Sequence, residues 1–180
     1  MKYAVGIDIG KNGGIVVISE DGKITTHAMP KVNKDEIDIH AIGQIFQGIP
    51  GTIHCGIEDV HSIFGVGAKA NFQFGRALGI VEGIVAGYNI AFTKVSPKIW
   101  QKEMWLGVKP VETNTGKKTK EGDAKMKIDT KATSLLAAKR LYPNVDLRDA
   151  NVRKTARSKD SHDGIVDALL IATFVKRKLM

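Results

Sequence analysis

The acids with the most chemical content in this sequence are Asp8 in "GIDIG", Glu58 in "GIED", and Asp160, Asp163 and Asp167 in "SKDSHDGIVDALLIA". Asp8 stands between Ile7 and Ile9, where a carboxylate is unfavourable unless its charge is compensated or it points into a site. Glu58 follows Ile57 at the end of a second apolar run. The three aspartates fall about one turn apart along the edge of a helical pattern made by Ile165, Val166, Leu169, Leu170, Ala172 and Val175. Carboxylates brought together raise one another's pKa and oppose folding unless divalent cations lie between them. All-oxygen donors are what Mg²⁺ or Mn²⁺ takes, with waters completing the octahedron. Two such ions about 4 Å apart activate a water and stabilise the leaving oxygen of a phosphodiester. No serine, cysteine or histidine arrangement competes as a nucleophile, and Cys55 in "TIHCGIE" reads as a buried, inert thiol.

Three remote stretches must therefore be folded into one place. "KYAVGIDIG" (2–10), "GGIVVIS" (13–19) and "KITTHAM" (23–29) read as strands, with "EDG" as the turn between the last two. "NKDEIDIHAIGQIFQ" reads as a helix capped by Asn33 with Ile37, Ala41 and Ile45 on one face. "GTIHCGIE" (51–58) is a fourth strand, 68–88 a long helix, "NIAFTKV" (89–95) a fifth strand, and "SPKIWQKEMW" a short helix with Pro97 in its first turn. Residues 106–130 are polar, basic and aperiodic and read as a mobile loop; helical periodicity resumes in "TKATSLLAAKRLYP". A meander followed by alternating strands and helices predicts one α/β domain over 1–180, with a mixed five-stranded sheet flanked by helices. If the first and fourth strands are parallel neighbours, Asp8 and Glu58 stand at the same height, at the carboxyl ends where ligands bind in such sheets. Gly75, Gly79, Gly83 and Gly87 recur at intervals of four in the long helix, so something packs close to its backbone: either the sheet or the same helix of a second copy.

The net charge of +8 is lopsided. Residues 1–92 hold seven basic and nine acidic side chains, whereas 93–180 hold twenty and ten. A basic surplus on one part of the chain is the electrostatic footprint of a phosphate-backbone partner. Candidate contacts are Lys117, Lys118 and Lys120 in the loop, and Arg153, Lys154, Arg157 and Lys159 before the acidic helix. No apolar run is long enough to span a membrane, the start has no signal-peptide architecture, and one cysteine suits a reducing compartment. The expectation is a soluble, cytoplasmic protein.

"GIDIGKNGG", "GIEDVHS" and "HDGIVDALLIA", in that order, resemble the RuvC-type Holliday junction resolvases of the RNase H-like superfamily; "DTKATSLLAAKRLYP" is similar to their bacteriophage and viral branch. The resemblance spans about 2–175 and implies an RNase H-like fold, a homodimer, four acidic ligands for a pair of Mg²⁺ or Mn²⁺ ions, and paired nicks in a four-way DNA junction of the kind met in recombination and repair. It assigns Asp8, Glu58 and Asp167 as catalytic metal ligands. The acid or histidine that the commonest bacterial pattern places three residues before the last acid is Gly164 here, so the third ligand is assigned to Asp163, four before, on the same helix face. Asp160, a further turn out, is a cap or an acid behind the ligands. His162 points off that face. The family places an aromatic near the second acid. His61 stands at the matching spacing and Phe64 just beyond it, and Phe64 is either a wedge between bases or a core anchor for its loop. Trp100 and Trp105 read as packing residues of the short helix.

Three other readings share these features. A related nuclease acting on flaps, forks or RNA–DNA hybrids would use the same acids. The actin and Hsp70 ATPase group has a first phosphate loop like "DIGKNGG", but needs a second glycine-rich segment absent from this sequence. A non-catalytic DNA-binding relative would have no need of four acids.

Overall fold

The computed structural model describes residues 1–10, 12–33, 36–59, 67–118, 122–149 and 161–180. Strands β1 (Lys2–Asp8), β2 (Gly14–Ser19), β3 (Ile24–Ala28), β4 (Thr52–Glu58) and β5 (Ala91–Val95) form one sheet in the order β3-β2-β1-β4-β5. β1 pairs antiparallel with β2 and β2 with β3, whereas β1 with β4 and β4 with β5 are parallel. This is the mixed five-stranded α/β sheet that the meander and the later alternation predict.

Side chains alternate across the sheet and build a core on each face. Val5, Ile7, Ile15, Val17, Cys55 and Ile57 face α1 (Ile39–Gln47) and α2 (Ala68–Gly87). Val16 and Ile18 face α3 (Pro97–Met104), α4 (Thr130–Leu141) and α5 (Asp163–Leu179). α5 lies directly on β1 and β2 because glycines clear its path. A methyl group at Gly6 would overlap the Ala168 carbonyl oxygen and the Ala172 nitrogen, and one at Gly14 would come within 2.6 Å of the Gly164 oxygen. α5 has its N-cap at His162, whose Nδ1 accepts from the Ile165 amide at 3.3 Å. At its other end Lys176, Arg177 and Lys178 suit the negative end of the helix dipole.

Three expectations need correction. α1 is capped by Asp38, which accepts from the Ala41 amide at 2.9 Å, not by Asn33. Ile37 is buried and bridges Lys31 with extended backbone, so the helix cannot start before it. The glycine stripe of α2 does not touch the sheet: Val81, Ile84 and Val85 seat the helix, and methyl groups at Gly75, Gly79, Gly83 and Gly87 would meet no atom of the described residues within 4 Å. The segment 106–130 is not simply a loop. It contains an antiparallel ribbon of β6 (Glu112–Lys118) and β7 (Ala124–Ile128), with register Glu112↔Ile128, Thr113↔Lys127 and Asn114↔Met126. Gly116, at φ +73°, lies in the irregular stretch between Asn114 and Lys118, and its amide bonds Asn114 Oδ1 at 2.8 Å. Nearly all of the ribbon is exposed, so it has no buried face to mark β6 with a hydrophobic period.

Candidate active site

The parallel register Ile7↔Ile57 puts the next residue of each strand, Asp8 and Glu58, side by side at the carboxyl end of the sheet. By strand alternation both point to the face covered by α5. α5 contributes Asp163 and Asp167, one turn apart on the same side. α4 crosses beside them and brings Lys131 and Ser134, while α3 brings the buried Trp100. Segments separated by most of the chain thus deliver Asp8, Glu58, Asp163 and Asp167 to one patch.

The electrostatics show how close they are. Burial pushes the Asp8 carboxyl well above the usual range, and the charges of Glu58, Asp167 and Asp163 raise it further against the opposing Lys131 ammonium. Asp167 is pushed up to about 7, chiefly by burial; a Ser134 hydrogen bond lowers it, and Glu58 and Asp163 raise it. Burial also raises Glu58, offset by the indole of Trp100, whose Nε1 donates to Glu58 Oε1 at 3.1 Å. Asp163, about one-third exposed, accepts from Lys131 Nζ at 2.8 Å. Asp167 Oδ1 is buried and has no hydrogen-bond partner among the described residues.

Among the described residues no three His, Cys, Asp or Glu side chains close into a ready-made metal cage. The acids form an open array coupled through their charges, with Lys131 supplying positive charge on one side. Its chemistry nonetheless suits hard divalent cations: the donors are all carboxylate oxygens, one of them is buried and orphaned, and burial penalises the ionised forms of Asp8, Glu58 and Asp167.

Position 164, where the resemblance would place an acid, has no room for one. A side chain there would run into the backbone of Asn12 and Gly13, because the turn between β1 and β2 packs onto the first turn of α5. Asp163, one residue earlier, escapes that contact. His162 is engaged as the helix cap. Lys117 and Lys118 are exposed at the end of β6. His61, Phe64, Lys120, Arg153, Lys154, Arg157, Lys159 and Asp160 lie outside the described residues. The residues that sequence reasoning missed are Lys131, Ser134 and the polar role of Trp100. Lys131 and Ser134 lie within "DTKATS", which the resemblance already singled out; nothing local marked the indole as a donor to Glu58.

No protein-family model and no curated protein matches the sequence. Among solved structures, the chain is similar to T. thermophilus RuvC in complex with Holliday junction substrate, with a TM-score of 0.55 and 14% identity over 97% of this chain and 95% of that one. It is also similar to the yeast mitochondrial Holliday junction resolvase Ydc2, with a TM-score of 0.51 and 14% identity over 96% of this chain and 77% of that one. At such identity the likeness is one of fold: a RuvC-like, RNase H-like sheet and helix arrangement.

Proposed function

We propose that this chain is a metal-dependent, structure-selective endonuclease that resolves four-way DNA junctions by paired nicks, acting as a homodimer. The observation that carries the reading is the convergence of Asp8, Glu58, Asp163 and Asp167 on one face of a sheet whose fold resembles that of two Holliday junction resolvases. The similarity of "DTKATSLLAAKRLYP" to the viral branch is the support for placing it there.

These four acids would hold Mg²⁺ or Mn²⁺, as a pair of ions. When bound, such ions supply the Lewis acidity that lowers the pKa of a water and neutralises charge on the scissile phosphodiester. The remaining work belongs to the chain. Asp8 and Glu58 are fixed by adjacent strands, and Asp163 and Asp167 by a helix packed on those strands, so the donor oxygens are positioned by the core. Lys131, poised at Asp163, is placed to turn its ammonium towards a bound phosphate. Lys117 and Lys118, with Lys120, Arg153, Lys154, Arg157 and Lys159, are assigned to the DNA backbone; Lys125 and Lys127 on β7 extend the same basic ribbon. Phe64 and His61, following Glu58, are assigned to the junction centre. The outward glycine stripe of α2 is assigned to the dimer seam. Gly79, Gly83 and Gly87 line an open groove with Ile39, Gln44 and Tyr88, and Phe72 stands exposed on the same helix.

A nuclease of forks, flaps or hybrids would share the acids and differ in its DNA surface. Nicking assays on four-way junctions, forks, hybrids and linear duplex, each with Mg²⁺ and with chelator, separate the readings. Metal-dependent, symmetric cleavage of the four-way junction, lost in Asp8→Asn while junction binding survives, is the expected result. Unchanged cleavage by Asp8→Asn would sink the proposal.

A further inference from the structure

α3 and its C-terminal residue carry two tryptophans, and each indole N–H is directed at a group serving one of the site's acids. Trp100, fully buried, donates from Nε1 to Glu58 Oε1 at 3.1 Å. Trp105 donates from Nε1 to Ser134 Oγ at 3.3 Å, and the buried Ser134 hydroxyl acts on Asp167, where it offsets part of the rise that burial causes. Five residues on a helix correspond to a rotation of about 140°, so one short helix can reach the end of β4 with one ring and the α4–α5 side with the other. The polarity of the second relay follows from chemistry. An indole nitrogen only donates, so Ser134 Oγ accepts from Trp105 and keeps its own proton for the carboxylate.

We infer that Trp100 and Trp105 are positioning residues: through Glu58 directly, and through Ser134 at Asp167, they fix one oxygen of each acid and leave the other for a divalent cation. The inference rests on the metal-site reading above. A neutral donor suits this task where a lysine or arginine would not. It satisfies a buried oxygen and holds the carboxylate plane without cancelling the negative charge that attracts the cation. At Asp167 one oxygen, Oδ1, is buried with no hydrogen-bond partner among the described residues. Groups that orient metal-bound side chains in this way typically change affinity about 10–100-fold when removed.

The test uses the full chain and Mn²⁺ as the probe. Trp100 is replaced by 3-benzothienylalanine, which keeps the bicyclic shape but has sulfur where indole has N–H; Ser134→Ala interrupts the second relay without enlarging a side chain. Mn²⁺ affinity is measured by calorimetry, and metal-free thermal melting reports the fold. The expected result is Mn²⁺ binding weakened about 10–100-fold in each variant, with metal-free melting close to that of the parent protein. Parent-like Mn²⁺ affinity in both variants overturns the positioning role while leaving the nuclease reading intact. A parent protein that does not bind Mn²⁺ overturns both. If the Trp100 variant fails to fold, Ser134→Ala decides the matter.

Discussion

Asp167 shows what the site demands of a single side chain. Its carboxyl is pushed from the ordinary range to about 7, because burial penalises the charge more than the Ser134 hydrogen bond relieves it. A carboxyl raised on folding binds its proton more tightly in the native state than in the unfolded chain. The native state is therefore favoured below the unfolded pKa, and the advantage is lost as pH rises through the native value. Asp8 and Glu58 are raised too and act in the same direction. Metal-free protein should lose stability between about pH 4 and pH 7, on the order of 3–4 kcal/mol from Asp167. Asp167→Asn should flatten that slope in chemical denaturation at several pH values and should abolish nicking. Mg²⁺ should restore the parent's stability at pH 8 but not that of the variant. Lys131→Gln removes an exposed ion pair, so its effect on stability should stay within about 0.5 kcal/mol. Junction cleavage should fall far more, because the ammonium that faces the site is gone; equal cleavage by variant and parent would remove Lys131 from the mechanism.

At the scale of elements, the seating of α5 on the sheet decides whether the acids meet. Gly6, Gly14 and Gly164 are the places where backbone meets backbone without room for a methyl group. Gly164→Asp puts an acid three residues before Asp167, where the resemblance would have it, but the Asn12–Gly13 backbone stands in the way. The expected outcome is a loss of about 3 kcal/mol or more, read as a lower urea midpoint, with no gain in activity. α2 offers the contrast. Its glycines have no atom of the described residues within 4 Å of an added methyl, so Gly79→Leu should leave the circular dichroism spectrum and the core intact. If the stripe is the dimer seam, light scattering should show the dimer shifting to monomer; a dimer unaffected by the leucine would place the seam elsewhere.

For the molecule as a whole, the uneven charge is the property with functional reach. The sheet and its acids are built largely from the near-neutral first half and the last helix, while the basic surplus lies in the second half, including the exposed β6–β7 ribbon. No helix among the described residues is long and apolar enough to cross a membrane. Each lysine that neutralises a phosphate adds about 0.9 to the slope of log affinity against log salt. Replacing Lys117, Lys118, Lys125 and Lys127 with glutamine should therefore lower that slope by up to about 3–4 in junction-binding titrations. The acids should still bind Mn²⁺ as before, since among the described residues the one basic side chain acting on Asp8 and Asp167 is Lys131. An unchanged slope would show that the ribbon does not touch the DNA backbone.

Periodicity and residue type alone determined the five strands, the long helix and the apolar helix that carries the last acids, because each is an element whose burial forces a repeating pattern on neighbouring residues. Asp8, Glu58 and Asp167 were legible for the same reason: a carboxylate breaks such a pattern at a cost that calls for an explanation. "AKMKI" also alternates strictly and marked β7 in principle, yet β7 is exposed along its whole length and β6 is half-buried only at Thr113 and Thr115, which are polar, so no apolar face recorded the ribbon. What tertiary structure decided lies between elements. The cap of α1 was settled by the burial of Ile37, and the outward turn of the glycine stripe by Val81, Ile84 and Val85 docking on the sheet. Packing of α5 on the β1–β2 turn excluded a side chain at position 164. Lys131 reaches Asp163, and the Trp100 indole reaches Glu58, only because α3 and α4 fold over the end of the sheet. Contacts between segments distant in sequence leave no local period, so only the folded chain brings them into view.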